Sequence, residues 1–205
     1  MPGRRCDLRE RISEITRQTG ETSISVKLGL DGQGRSSIET GLGFLDHMLD
    51  LLAHHSRFDL EVKAAGDLQV DDHHLVEDVG LALGQAISGA LSEKKGIERY
   101  GSALVPMDEV LVAAAVDFSG RPVYVSNYEP ARELVGELST EMVNHFFASL
   151  AAEAKLTLHL RVLEPGLNEH HRIEALFKGI ARALRQAVKV NADASNEIPS
   201  TKGVL

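Results

Sequence analysis

Two short runs in the sequence have the residue types and spacing to hold a metal ion. His73-His74-Leu75-Val76-Glu77 and His170-His171-Arg172-Ile173-Glu174 each read His-His-x-x-Glu. On a helix, residues four apart share a face, so the first His and the Glu can bind one ion together. The second His is turned about 100° away and has to serve another site or another function. Neutral imidazole with carboxylate suits Mn, Fe, Ni or Zn. One run alone reads more readily as exposed polar residues near a helix start, or as histidines bonded to nearby carbonyls. Two runs come with two further histidines, His47 and His145, set 98 positions apart. His47, His73, His74, Glu77, His145, His170, His171 and Glu174 then make two sets of three His and one Glu. Four protein ligands leave two open positions on an octahedral ion for substrate or water. Of the remaining histidines, His54 and His55 read as a helix end and His159 as a strand residue.

The elements that must position these residues occur twice. Leu45, Met48, Leu49 and Leu52 fall on Val143, Phe146, Phe147 and Leu150 when the first stretch is shifted by 98 positions. The i, i+3, i+4, i+7 spacing predicts an amphipathic helix in each, with His47 and His145 off the apolar stripe. Phe58 to Val62 and Leu156 to Leu160 alternate as strands, as do Ile24 to Leu30 and Val110 to Val116. Each His-His run opens a long apolar-periodic segment, Val79 to Leu91 and Leu176 to Val188, with Asp72 and Asn168 as helix caps. Each half therefore reads strand, strand, strand, helix, strand, helix, over about 8–95 and 96–190, with the seam at Lys94-Lys95-Gly96. This predicts an α+β fold built by internal duplication. Each half is a mostly antiparallel four-stranded sheet with two helices, and the helices pack between the sheets. The tail, 191–205, is polar and by composition a mobile extension.

Composition narrows the function classes. Of 205 residues, 43% are apolar and 25% charged, as in a globular protein rather than a disordered one. Thirty acidic against 22 basic residues, a net charge of −8, argue against a duplex nucleic-acid binder. No apolar run is long enough to span a membrane, and Met1 to Glu10 lacks the apolar core of a secretory signal. Cys6 is the single cysteine, so neither an internal disulfide nor a cysteine zinc site is available. A cytoplasmic enzyme with no membrane or nucleic-acid partner is expected.

With these motifs the sequence resembles the imidazoleglycerol-phosphate dehydratase family over nearly its whole length. The residues that carry the resemblance are Arg17-Gln18-Thr19-Gly20-Glu21-Thr22, Gly43-Phe44-Leu45-Asp46-His47-Met48 and Gly66 to His74 leading to Glu77-Asp78. In the second half they are Arg99-Tyr100-Gly101, Met107-Asp108-Glu109, Gly120-Arg121-Pro122, Asn168 to His171 and Glu174-Ala175, with Pro199-Ser200-Thr201-Lys202-Gly203 at the end. Leu75 stands where a Thr is common and Ser56 where a Gly is common; neither is a motif ligand.

The resemblance implies a monofunctional lyase of L-histidine biosynthesis, one domain over 1–205, with two Mn2+ per chain. It implies a homo-oligomer of 24 subunits with active sites between them. The substrate, D-erythro-imidazole glycerol phosphate, would lose water to give imidazole acetol phosphate. Two Lewis-acidic ions at opposite ring nitrogens would stabilise its imidazolate form. By the same resemblance Glu21 is the first candidate for the proton shuttle, Glu77 and Glu174 alternate between ligand and base, and Asp108 orients a hydroxyl or an imidazole. Arg99, Arg121 and Lys202 match phosphate-binding positions, with Ser200 and Thr201 beside them, and residues 199–203 would close over the phosphate. Two other readings compete: a di-metal hydrolase releasing phosphate or amine, and a His-rich protein using metal only for assembly or storage.

Overall fold

A computed structural model describes residues 11–191, 194 and 197–203 of the chain. Cys6, the N-terminal segment read as lacking a signal, and the first residues of the first repeat lie outside them. The first half runs β1 (Ile12–Gln18), β2 (Thr22–Gly29), β3 (Ser36–Glu39), α1 (Gly43–Ser56), β4 (Asp59–Gly66) and α2 (His73–Leu91). The second runs β5 (Tyr100–Met107), β6 (Val110–Asp117), β7 (Val123–Ser126), a small ribbon β8 (Leu134–Val135) and β9 (Leu138–Ser139), α3 (Met142–Ala154), β10 (Thr157–Glu164) and α4 (Glu169–Ala187). Apart from the ribbon, this is the predicted order, twice.

The sheets match. Their strand orders are β1-β2-β4-β3 and β5-β6-β10-β7. In each, the third strand lies parallel to the fourth and the other pairs are antiparallel. Alternation sets the buried face: Ile24, Val26 and Leu28 of β2 are buried, while Ser23, Ser25 and Lys27 are exposed. The four helices fill the space between the sheets, and Phe58, Phe118, Phe146, Phe147 and Phe177 are fully buried among them.

Helix pairing crosses the repeat boundary. α2 packs on α3 and α1 on α4. An exchange of halves turns one pair into the other, so the two pairs are equivalent by the duplication. Glycine allows the close approach: a Cβ on Gly84 of α2 would lie 2.6 Å from the Leu150 carbonyl oxygen of α3, and one on Gly80 would lie 2.9 Å from that of Phe146.

Two expectations need correction. Asp72 sits at the start of α2 but does not cap it. Its carboxylate accepts from the Ser139 N–H at 2.6 Å, and Asp71 instead accepts from the His73 N–H at 2.9 Å. Asn168 does cap α4, accepting from the His170 N–H at 3.0 Å. The tail is not a loose extension over its described residues. The Gly96 N–H donates to the Glu197 carbonyl at 2.8 Å, and the Arg99 guanidinium donates to that of Pro199 at 2.9 Å. Polar composition hid these backbone anchors. His54 and His55 close α1, and His159 is an exposed residue of β10, as read from the sequence.

Candidate active site

The cross-half helix pairs gather the candidate ligands into two triads. His73 and Glu77 of α2 meet His145 of α3; His170 and Glu174 of α4 meet His47 of α1. Within each triad, one ligand atom per residue lies within 4.8 Å of the others. In the first, the Nε2 atoms of His73 and His145 stand 3.8 and 3.2 Å from the Glu77 carboxylate. In the second, those of His170 and His47 stand 3.1 and 4.0 Å from the Glu174 carboxylate. The i, i+4 geometry read from each His-His-x-x-Glu run is therefore realised, and the remote His comes from the opposite half.

The donor set fits a divalent ion. Among the described residues, Nε2 of His145 is buried and has no hydrogen-bond partner, its approach to Glu77 being a close contact without hydrogen-bond geometry. Such an arrangement costs free energy unless another group uses its lone pair. Three nitrogen and carboxylate donors converging at this spacing suit a transition metal with open positions.

Sequence reasoning left Lys178 out. Its ammonium is 2.5 Å from the Glu174 carboxylate and 3.3 Å from the Met107 sulfur. Burial pushes the Glu174 carboxyl up, but Lys178 and the nearby His170 and His47 outweigh it and hold the group below its ordinary value. The i, i+4 spacing of Glu174 and Lys178 was the available signal.

The second histidines turn away from the triads. Nδ1 of His74 faces Asp67 at 3.1 Å and Glu21 at 3.8 Å. Nδ1 of His171 faces Glu109 at 2.9 Å, and its Nε2 lies 3.8 Å from Asp108. The carboxylates draw both imidazoles above their ordinary pKa, Asp67 acting first on His74 and Glu109 on His171. Glu109 is held down to about 2 by His171 and by backbone N–H groups, among them those of Asn168 and Leu167. Asp108 sits in the β5–β6 turn with φ of 48°. Asp67 and Glu109 were not singled out as site residues from the sequence, because acids in turns are common there.

The phosphate candidates lie elsewhere. Arg99 precedes β5, where its guanidinium is bound to Asp117 at 2.7 Å and lies over the Tyr100 ring. Its backbone N–H donates to the Ala187 carbonyl at the end of α4, whereas His170 and Glu174 are at the start of that helix. Seventeen residues of helix put about 25 Å between them. Arg121 is exposed in the segment that follows β6, and Lys202 and Thr201 lie in the tail tethered at Arg99. The Ser200 hydroxyl accepts from the Lys202 N–H at 3.2 Å. Within one chain the second triad thus lies at the start of α4, and Arg99, with the tail tethered to it, at the end of that helix. A cleft of about 780 Å³ between the ends of α1 and α4, lined by Arg57, Arg182, Arg185 and Lys189, contains none of the candidate residues.

Two solved structures similar to this chain are dehydratases. The Staphylococcus aureus imidazoleglycerol-phosphate dehydratase superposes with a TM-score of 0.79 at 39% identity, covering 88% of this chain and 99% of that one. The Pyrococcus furiosus enzyme gives 0.78 at 35% identity, covering 93% and 100%. The architecture is thus that of a lyase. The family's sequence profile, described as imidazoleglycerol-phosphate dehydratase, matches residues 40–184. The Xanthobacter autotrophicus protein of that name is 55% identical over 195 residues, covering 95% of this chain and 98% of its own. The Roseobacter denitrificans one is 54% identical, covering 95% and 100%. The chain belongs to the imidazoleglycerol-phosphate dehydratase family, and it is an enzyme of histidine biosynthesis. Among the described residues, no helix is long and apolar enough to cross a membrane.

Proposed function

We propose that the chain dehydrates D-erythro-imidazole glycerol phosphate to imidazole acetol phosphate, in the cytoplasm, using two divalent cations, manganese by family resemblance. The observation that carries this is the pair of equivalent triads, each drawn from both halves. When bound, the cations would supply Lewis acidity that favours the substrate's imidazolate form, which can donate electrons as hydroxide leaves and take them back as the carbon-bound proton is removed. His73, Glu77 and His145 would hold one ion; His47, His170 and Glu174 the other. His74 and His171 would complete the sets of three His and one Glu from a neighbouring copy, because each faces away from its own triad.

The remaining roles follow from position. Glu21 is exposed, and among the described residues its carboxylate accepts no hydrogen bond, so it is free to take and return the proton. Asp108, near His171 and unburied, orients a substrate hydroxyl. Glu77 and Glu174 act as ligands, and the Lys178 pairing keeps Glu174 ionised for that task. Arg99, Arg121 and Lys202, with Ser200 and Thr201, bind the phosphate, and residues 199–203 close over it. Their distance from the triads within one chain supports a site built between subunits of a homo-oligomer, 24 by resemblance.

The test strips the metal, adds imidazole glycerol phosphate and follows imidazole acetol phosphate with and without Mn2+. The expected outcome is manganese-dependent product with phosphate retained. Inorganic phosphate release would favour a hydrolase, and metal uptake without turnover would favour a role in assembly or storage.

A further inference from the structure

Both second histidines are held in the same way, by different residues. In the turn between β4 and α2, the Asp67 carboxylate oxygens lie 3.2 and 3.1 Å from Nδ1 of His74. In the β5–β6 turn, the Glu109 carboxylate lies 2.9 Å from Nδ1 of His171. An ionised carboxylate only accepts, so Nδ1 carries the proton in each ring. Nε2 of each neutral ring then carries the lone pair.

The duplication makes this informative. Glu21 immediately precedes β2 as Glu109 immediately precedes β6, so the two glutamates are equivalent in the fold. Glu109 holds the histidine of its half. Glu21 stands 3.8 Å from His74 without a hydrogen bond, and Asp67 makes the contact instead. Descent from one ancestral half explains the same carboxylate in the same place. It does not explain two carboxylates from unrelated turns reaching the same ring nitrogen.

We propose that Asp67 and Glu109 are positioning residues that fix His74 and His171 as Nδ1–H tautomers, each presenting Nε2 as a metal donor, and that Asp67 thereby releases Glu21 for proton transfer. This rests on the reading of His74 and His171 as ligands given above. A carboxylate behind a ligating imidazole fixes the ring orientation and raises its basicity. Glu109 is itself fixed by the N–H groups of Leu167 at 3.3 Å and Asn168 at 3.1 Å. Glu21, with no such anchors among the described residues, keeps the freedom that proton transfer requires.

The experiment needs no turnover. The full chain is labelled with 15N-histidine, and two-bond nitrogen–proton correlations read the tautomers in the metal-free protein, with His74→Gln and His171→Gln assigning the signals. Wild type should show Nδ1–H at both rings. Asp67→Ala should mix the tautomers of His74 alone and weaken Mn2+ binding by about 10- to 100-fold in a competition against a chelator. Asp67→Glu, which keeps the carboxylate, should recover much of that loss. Glu109→Ala should do the same at His171; because Glu109 also serves the backbone, Asp67 is the decisive arm. Nε2–H tautomers in wild type, or unchanged Mn2+ affinity in Asp67→Ala, would overturn the proposal. Wild type that binds no Mn2+ would instead remove the metal reading beneath it, so the two failures look different.

Discussion

Glu77 and Glu174 occupy equivalent places, yet only Glu174 is buried and bound to a lysine. Replacing it by Gln leaves the Lys178 ammonium, itself mostly covered, without its carboxylate. Glu174→Gln should therefore cost about 1–3 kcal/mol of stability even in chelator, a part-buried pair giving less than a fully buried one. Glu77→Gln, half exposed and without a lysine, should cost much less. Thermal unfolding of both variants without metal decides it, and equal losses would count against the asymmetry. Asp59 gives a pH test away from the site. Its Arg35 partner, opposed by partial burial and helped by the Arg35 and Gln33 N–H groups, holds its carboxyl well below the usual carboxylate range. A depressed folded pKa means stability that is present above the unfolded value of 3.8 and lost as pH falls through the folded one. Stability should fall more steeply below about pH 4 in wild type than in Asp59→Asn, and urea titrations in acid would show it. At this scale the candidate ligands were legible, because the His-His-x-x-Glu run occurs twice and each copy has a remote His at the matching offset. Asp67, Glu109 and Lys178 were not, since a turn acid or a helix lysine gains its meaning only from the ring or carboxylate it faces.

Element identity was legible from the same periodicities, and element partnership was not. A strand's alternation says which face is buried, but not that β3 and β7 run parallel to their neighbours. The four-residue ribbon β8–β9 is too short for any pattern to mark it. A helix stripe likewise names a face without naming what covers it. The crossed pairs α2–α3 and α1–α4, on which both triads depend, therefore come only from the folded chain. Small residues are the trace they leave in the sequence. Gly84→Ala would press a methyl group against the Leu150 carbonyl and the Glu153 Cβ, 2.6 and 2.8 Å away, and force α2 from α3. It should destabilise the protein by about 1–3 kcal/mol. It should also spread His73 and Glu77 from His145, weakening one metal site and sparing the other. Calorimetric Mn2+ titration would resolve this as one altered and one unaltered affinity, whereas loss of both together would mean that the helix pairs are not independent.

Across the whole molecule, helix length sets the constraint. α4 carries His170 and Glu174 at one end and closes against Arg99 at the other, about 25 Å away. An imidazole ring on a three-carbon phosphate ester cannot bridge that span, so the proposed reaction needs the α4 triad of one chain beside the cations of another. Isologous or cyclic contacts between identical chains supply such a juxtaposition in every copy. Exposed apolar side chains, Leu167 four residues before His171 and 95% exposed, and Leu104 on β5, offer surface for those contacts. The consequence is complementation. Arg99→Ala removes a proposed phosphate cation and Glu174→Gln a proposed metal ligand; each homogeneous variant should be inactive with the natural substrate. Unfolded together and refolded as a mixture, they place an intact triad beside an intact Arg99 in some sites. With two chains contributing to each site and equal amounts of each variant, activity should return to at most about a quarter of wild type, and a third chain supplying His74 or His171 leaves that ceiling unchanged, since neither variant alters them. Mixing the assembled variants without unfolding is the control and should restore less. A refolded mixture as inactive as its parents, while sizing as the wild-type particle, would mean that the cations serve their own chain's triads after a rearrangement of α4.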